Sequence, residues 1–247
     1  MLLLNMKILN ILIFLLIFNT FILLGFLVSE SDITGKAVYE RISVNVSRVI
    51  DGDTIDVTLN NLTQRLRLLG INTPEKKNPG YEEALDFLRQ YENKTIELEE
   101  REKDKYNRTL AYIYYSGKLL NSEILKQGLA NLYVYNKDEN YQELEKAEKY
   151  ARDNNLGLWK KSDNYGCIQL IQLKYQEGEE RCTNNEQLIL NNICNNIQAI
   201  LKDDANHIEK LNLSQGIYIQ NFSCIWNDDG DSLYIRDEQG LLWFYRY

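Results

Sequence analysis

Two aspartates flank a glycine in the stretch VIDGDTIDVTL, and an alternating strand follows directly. Asp51 and Asp53 put two carboxylates at one turn, although Asp-Gly is also a common turn signal without further function. A second turn, Asn72–Glu75 (NTPE), adds an amide, a hydroxyl and one more carboxylate. Carboxylate, amide and backbone carbonyl oxygens are the donors that a hard cation such as Ca²⁺ prefers.

Two arginines accompany these oxygen donors. Arg67 has the strand parity of Leu69 and Ile71, so it needs an acidic partner or a ligand. Arg108 follows a polar turn and precedes the strand LAYIYY. Two guanidinium groups suit bidentate binding of a phosphate and of the charge on a five-coordinate phosphorus, and Glu75 could orient or deprotonate a water. Alone, Arg67 is more often an ion-pair partner and Glu75 a solvated turn residue, but the ordered set indicates phosphodiester chemistry.

The elements around these residues predict a small barrel with helices packed outside. Alternating apolar runs predict strands at 41–56, QRLRLLGI, TIELEE and TLAYIYYSG, with a hairpin turn at NNLT (Asn60–Thr63). Asn121 is expected to cap a short helix, and a longer helix is expected over about 140–155. Strands first, then helices among strands, is an OB-like order. We expect Asp53, at the end of its strand, to contribute little to packing.

Four stretches carry a family resemblance: VIDGDT, RLRLLGINTPE, DKYNRTLAYIY and GLANLYVY. In order and spacing they resemble the thermonuclease family, the staphylococcal nuclease-like domains, over about Ser43 to Trp159. The resemblance implies an OB-fold barrel with packed helices over 41–162. It also implies Ca²⁺-dependent hydrolysis of phosphodiester bonds in DNA and/or RNA, leaving 3′-phosphate ends.

The resemblance also implies a metal site. Asp53 corresponds to the first Ca²⁺ ligand, Thr73 to a carbonyl ligand and Asp51 to an outer-shell carboxylate. The family's second metal carboxylate is replaced here by Asn72, whose amide oxygen carries no charge. We therefore expect a weaker Ca²⁺ site at which Mg²⁺ or Mn²⁺ competes better.

The remaining implied roles concern the substrate. Arg67 and Arg108 correspond to the phosphate clamp, and Glu75 to the catalytic base or water-orienting group. Three tyrosines resemble the nucleotide-contacting tyrosines of the family, with core or surface aromatics as the alternative: Tyr106, Tyr133 and Tyr135.

The C-terminal part, 163–247, has short apolar runs at regular spacing, which predict an all-β sandwich. The segments EQLILNNI, LKDDANHIEKLNL and IWNDDGDSLYIRDEQG resemble the lamin-tail domain, which is immunoglobulin-like. A second Asp-Gly-Asp, ending at Asp231, has no arginine pair or placed base beside it. We expect it to shape a turn in a separate appendage, with a weak Ca²⁺ site as the alternative.

The first 40 residues read as a targeting segment and linker. Residues 8–28 are uncharged and mostly apolar, long enough for a membrane-spanning helix. A cleaved signal peptide and a buried core helix are the alternatives. Lys7 precedes the segment and acidic residues follow it, so the body is expected to be exoplasmic, either membrane-anchored or secreted.

All four cysteines lie in the last third of the chain. An even number of cysteines in an exported protein predicts two disulfides. The absence of CxxC spacing argues against a zinc site. A hairpin with its turn near 179–181 would place Cys167 opposite Cys194, which leaves Cys182 to pair with Cys224.

The net charge of −8 argues against a general polyanion-binding surface. Acidic residues outnumber basic ones 12 to 6 over 164–247, whereas 41–160 is balanced, so nucleic-acid contacts belong to the middle. The favoured function is a monomeric exoplasmic nuclease, with the partner of the sandwich left open. The alternatives are a non-catalytic OB-fold module that binds oligonucleotides or proteins, and a structural envelope protein.

Overall fold

The computed structural model describes residues 39–134, 136–175, 186–205, 207–223, 225–226 and 231–247. Residues Glu40–Tyr247 form one compact unit. Its first half contains these strands: β1 (Arg41–Val49), β2 (Thr54–Leu59), β3 (Leu62–Leu68), β4 (Ile71–Asn72), β5 (Thr95–Lys103), β6 (Thr109–Tyr115), β7 (Lys118–Leu119) and β8 (Asn131–Leu132). Five of these strands form the predicted barrel.

The barrel has the strand order β3-β2-β1-β5-β6 and is closed by parallel pairing of β3 with β6. The strands show alternating burial of their side chains. In β1, Val44 and Val46 are buried, whereas Ser43 and Asn45 are exposed. The β2–β3 turn uses Asn60 and Asn61 at positive φ (51° and 63°), a conformation that asparagine tolerates. Both the barrel and this hairpin turn agree with the sequence predictions.

Three α-helices lie among these strands in the described residues: α1 (Tyr81–Arg89), α2 (Leu120–Lys126) and α3 (Tyr141–Asp153). The predicted cap at Asn121 is wrong, because this residue lies inside α2 and is fully buried. Its Oδ1 accepts a hydrogen bond from the Ile113 amide at 3.1 Å, and its Nδ2 donates to the Leu69 carbonyl at 2.9 Å. Asn121 thus ties the helix to the barrel instead of starting the helix.

Seven described strands build the C-terminal part: β9 (Ile168–Lys174), β10 (Glu186–Asn192), β11 (Ile197–Lys202), β12 (Ile208–Leu213), β13 (Gly216–Phe222), β14 (Ser232–Arg236) and β15 (Leu241–Arg246). They form two antiparallel sheets, β13-β10-β9 and β12-β11-β14-β15. Leu188, Leu190 and Leu233 are buried in a core that both sheets share. The predicted β-sandwich is therefore present.

The sandwich packs against the barrel through an aromatic cluster. Trp159 follows α3 and is fully buried. Its ring centroid lies 5.0 Å from that of Phe244 and 5.7 Å from that of Tyr234, both on sandwich strands. Because aromatic contacts of this kind bury large apolar areas, the C-terminal part is joined to the barrel rather than tethered to it as an appendage.

Within the described ranges, no helix is both long and apolar enough to cross a bilayer. The predicted membrane segment at 8–28 lies outside those ranges, as do Cys182, Cys224 and most of the second Asp-Gly-Asp.

Candidate active site

The first Asp-Gly-Asp forms a tight turn between β1 and β2. The Asp51 amide donates to the Thr54 carbonyl at 3.3 Å, and Asp51 Oδ1 accepts a hydrogen bond from the Asp53 amide at 3.0 Å. Gly52 has no room for a side chain, since a Cβ there would lie 2.6 Å from the Cβ of Ala84 on α1. The glycine therefore allows the turn to sit directly against the helix.

Asp53 joins three parts of the barrel. It is 6% exposed, and its Oδ2 accepts hydrogen bonds from the Thr73 amide and hydroxyl, both at 2.9 Å. Its Oδ1 accepts from the Thr54 hydroxyl at 3.2 Å and lies 3.1 Å from Arg67 Nε. The expectation that this carboxylate contributes little to packing is wrong, because it is buried and links β2, β3 and the turn after β4.

Arg67 is held by the protein's own acceptors. Its Nη1 donates to the carbonyls of Leu68 at 2.6 Å and Ile71 at 2.8 Å. Its Nη2 donates to Asn72 Oδ1 over a longer 3.3 Å, while Nε faces Asp53. This arrangement fixes the guanidinium before any ligand arrives, as preorganised phosphate binding requires.

Asn72 lies between the barrel and the sandwich. It is 5% exposed, and its Nδ2 donates to the carbonyls of Asp204 at 3.0 Å and Ala205 at 2.8 Å. Thr73 is also buried, with its amide and hydroxyl on Asp53. The structure thus brings Asp53, Arg67, Asn72 and Thr73 into one hydrogen-bonded group.

Strand pairing places Arg108 at the start of the strand next to β3. The parallel register of β3 and β6 puts Leu66 beside Thr109, so Arg108 precedes the strand next to the one that carries Arg67. Its Nε donates to Asp104 Oδ2 at 2.7 Å, and its amide donates to Asp104 Oδ1 at 2.9 Å. These bonds draw Asp104 into the turn and hold the pKa of its carboxyl below the usual range against the opposing effect of burial.

The remaining predicted residues are less enclosed. Glu75 is exposed, two residues after Thr73 in the loop before α1. Tyr106 is 68% exposed, and its ring centroid lies 5.4 Å from the guanidinium carbon of Arg108. Tyr133 is half-buried, with its amide bonded to the Gly70 carbonyl. Tyr135 lies outside the described residues. The exposure of Tyr106 beside a cation fits a nucleotide contact.

Two carboxyl groups near the site have raised pKa values. Burial, and then the charge of Asp53, raises the pKa of Asp51 to about 6. Burial, and then the charge of Asp231, raises the pKa of Asp204 to about 8. Burial and a neighbouring carboxylate thus both disfavour the charged form of these two groups.

The donor set fits a hard cation in kind. The carboxylate of Asp53, the amide oxygen of Asn72 and the backbone carbonyl of Thr73 are of the types that Ca²⁺ accepts. In this structure the Asp53 carboxylate is bonded by Thr54, Thr73 and Arg67, and Asn72 Oδ1 accepts from Arg67. Over the part of the chain that the structure describes, no group of three or more His, Cys, Asp or Glu side chains is placed to hold a metal ion.

Sequence reasoning missed the loop 203–205, which links β11 to β12 and touches Asn72. Asp231, expected to shape a turn, is 2% exposed, and its Oδ1 accepts hydrogen bonds from the amides of Ser232 at 2.6 Å and Asp204 at 3.4 Å. The acidic run LKDDANH was the available signal, but nothing in its spacing shows which distant residue it contacts.

Comparison with known proteins supports the barrel's resemblance. A family model described as staphylococcal nuclease homologue matches residues 65–161. This range contains Arg67, Asn72, Thr73, Glu75 and Arg108, whereas Asp51 and Asp53 precede it.

Curated relatives agree. The chain is 37% identical over 124 residues to a thermonuclease of Staphylococcus hyicus, covering 46% of this chain and 73% of that protein. It is 36% identical over 143 residues to a thermonuclease of Staphylococcus intermedius, covering 54% and 82%. It is 35% identical over 133 residues to the endonuclease YncB of Bacillus subtilis, covering 49% and 63%. With this barrel, this grouping of side chains and these relatives, the chain belongs to the staphylococcal nuclease homologue family and is a nuclease.

Proposed function

We propose that this nuclease hydrolyses phosphodiester bonds of DNA and/or RNA with Ca²⁺ as its cation and leaves 3′-phosphate ends. The observation that carries the proposal is the preorganised group of Asp53, Arg67, Asn72 and Thr73. In it an arginine and a set of oxygen donors are fixed side by side. Mg²⁺ and Mn²⁺ are the alternative cations, since the amide of Asn72 lowers the charge of the site.

Each side chain has a defined task in this proposal. Arg67 and Arg108 bind the scissile phosphate and stabilise the extra charge of its transition state. Glu75, exposed at the start of its loop, orients or deprotonates the attacking water. A cation held by Asp53, Asn72 and Thr73 would supply Lewis-acid polarisation of the phosphate. Tyr106, Tyr133 and Tyr135 stack on or contact the nucleotides.

The experiment is cleavage of a defined oligonucleotide with analysis of its ends. Purified protein is incubated with the DNA or the RNA oligonucleotide in Ca²⁺, Mg²⁺, Mn²⁺ or chelator. The masses of the products are then measured by mass spectrometry. We expect Ca²⁺-dependent products that end in 3′-phosphate. Products ending in 3′-hydroxyl, or equal cleavage in chelator, would contradict the proposal. Oligonucleotide binding without cleavage would favour the non-catalytic OB-fold module.

We also propose that the protein acts outside the cytoplasm, anchored by residues 8–28 or secreted. The support is the apolar segment with Lys7 before it and acidic residues after it. Protease added to intact cells, or to the culture medium, should digest the nuclease. Full protection until the cells are permeabilised would refute this location. The lamin-tail resemblance of the sandwich is part of the same proposal, because such domains accompany extracellular nucleases.

A further inference from the structure

Among the residues that the structure describes, the sandwich contacts the nuclease site at the side chain of Asn72. The carbonyl oxygens of Asp204 and Ala205 lie 3.0 Å and 2.8 Å from Asn72 Nδ2, across more than 130 residues of sequence. Asn72 is 5% exposed, so water does not compete for these bonds. The loop 203–205 therefore forms part of the wall around this residue.

The two carbonyls determine which way the Asn72 amide points. An asparagine side chain has a donor end and an acceptor end, and carbonyl oxygens accept only from the donor end. Nδ2 must therefore face the loop, which turns Oδ1 toward Arg67 Nη2 at 3.3 Å and toward the side of the site that holds Asp53. An aspartate at this position has no donor and would face two carbonyl oxygens.

The loop that makes this contact is itself braced. Lys202 Nζ donates to the carbonyls of Asp203 and Ala205, and the Asp204 amide donates to Asp231 Oδ1 at 3.4 Å. The His207 amide donates to Asp203 Oδ1 at 3.0 Å. Because these contacts come from within the sandwich, the carbonyls are presented to Asn72 by a preformed turn.

A second contact links the sandwich to β4 and β8, the paired strands that include Asn72. Arg246 of β15 binds the buried Glu148 of α3 through Nη1–Oε2 at 2.6 Å and Nη2–Oε1 at 3.0 Å. Glu148 Oε1 also accepts the Leu132 amide at 2.8 Å. Leu132 pairs with Ile71, and Asn131 pairs with Asn72, in the two-stranded β4–β8 ribbon. The sandwich thus holds both the side chain of Asn72 and the ribbon that carries it.

We propose that the C-terminal sandwich is a positioning part of the nuclease site. The loop 203–205 orients the Asn72 amide oxygen toward the site. Arg246, acting through Glu148, fixes the β4–β8 ribbon that carries Asn72. The inference rests on the proposed function at one point, the role of Asn72 in the site. It explains why an asparagine stands where the family resemblance implies a carboxylate, since only the amide satisfies both the loop and the site.

The test compares Asn72→Asp and Arg246→Gln with a matched control, Arg236→Gln. Arg236 is also a sandwich arginine bonded to the first half of the chain, through Nη1 to the Leu158 carbonyl, but that contact does not reach the ribbon. Hydrogen exchange of the full-length protein is followed by mass spectrometry over 131–132 and 203–205. kcat and KM are measured on an oligonucleotide at equal folded fraction.

We expect Arg246→Gln to speed exchange at 131–132 and Asn72→Asp to speed exchange at 203–205. Both should lower kcat more than KM, by up to about 100-fold, the scale of a misplacement near 1 Å. Arg236→Gln should leave exchange at 131–132 and kcat within about twofold of the wild type. If the wild type cleaves nothing, the proposed function fails, while the exchange data still decide whether the sandwich holds the ribbon and Asn72.

Three outcomes would overturn the inference. Unchanged exchange in both Asn72→Asp and Arg246→Gln would mean that the sandwich does not hold the ribbon. Equal kcat losses in Arg246→Gln and Arg236→Gln would mean that the Arg246–Glu148 contact contributes only to general stability. A rise in kcat in either test variant would mean that the contact with the sandwich does not position Asn72 for cleavage.

Discussion

At the scale of single residues, the two proposed phosphate ligands differ in how firmly they are held. Arg67 is 12% exposed at its side chain and donates to three acceptors besides its ion pair with Asp53. Arg108 is 30% exposed at its side chain and pairs with one nearby carboxylate, Asp104. Replacing Arg67 therefore disturbs the fold as well as the chemistry. Replacing Arg108 allows the effect on cleavage to be measured with little effect on the fold.

Arg108→Ala should lower the rate by about 10²–10³, the usual loss when one preorganised donor to a transition-state anion is removed. Stability should fall by about 1 kcal/mol or less, because a partly exposed ion pair contributes little. Steady-state cleavage and urea unfolding measure the two effects. Arg65→Ala is the matched control, since Arg65 pairs with Asp56 in the same barrel and is not one of the proposed phosphate ligands. A similar rate loss in both variants would remove Arg108 from the clamp.

At the scale of elements, the site depends on how closely the Asp-Gly-Asp turn approaches α1. A Cβ at position 52 would lie 2.6 Å from Ala84 Cβ and 2.9 Å from Thr73 Cβ. The turn, the helix and the residue that binds Asp53 therefore meet without space between them.

Gly52→Ala should lower the free energy of unfolding by about 1–3 kcal/mol, the usual cost of overpacking, and should reduce cleavage by displacing Asp53. Adding Ala84→Gly removes the closest clash, so the double variant should recover part of both losses. Thermal unfolding and plasmid cleavage provide the measurements. An unchanged unfolding midpoint in the single variant would show that the turn does not contact α1 as described.

Local patterns predicted the barrel well. The alternation of β1 and the Asn60–Asn61 turn are determined by neighbours in sequence, and so is the order of Asp53, Arg67 and Asn72 that revealed the family. The contact between Asn72 and the loop 203–205 was not predictable, because side-chain bonds to distant backbone carbonyls leave no periodicity. The predicted cap at Asn121 was wrong for the same reason. Its side-chain amide forms hydrogen bonds with backbone groups of the barrel, which no local rule for helix caps takes into account.

At the scale of the whole molecule, a disulfide cross-links the C-terminal sandwich internally, and the aromatic cluster of Trp159 packs the sandwich against the barrel. The predicted disulfide between Cys167 and Cys194 is present, with a sequence separation of 27 residues. It joins the residue before β9 to a residue just after β10, within the core that the two sheets share. The pairing of Cys182 with Cys224 stays a prediction.

The variant Cys167→Ser/Cys194→Ser should lose about 3–4 kcal/mol of stability, the chain-entropy value for closing a loop of this length. Because the sandwich supports the site, cleavage should decline at temperatures where the variant's sandwich begins to open and the wild type remains folded. Urea unfolding with and without reductant is the measurement. Equal midpoints for variant and wild type without reductant would mean that this disulfide does not form in the purified protein.

The most direct test of the account is the nicking of supercoiled plasmid by the purified protein in Ca²⁺ and in chelator, with Asp53→Asn beside the wild type. Asp86→Asn is the control, because Asp86 is an exposed carboxylate on α1 paired only with Arg89 in the described contacts. We predict nicking by the wild type and by the control in Ca²⁺, none in chelator, and a loss of about 10²-fold or more in Asp53→Asn. Nicking by Asp53→Asn at the wild-type rate, with the same Ca²⁺ dependence, would contradict the assignment of the site.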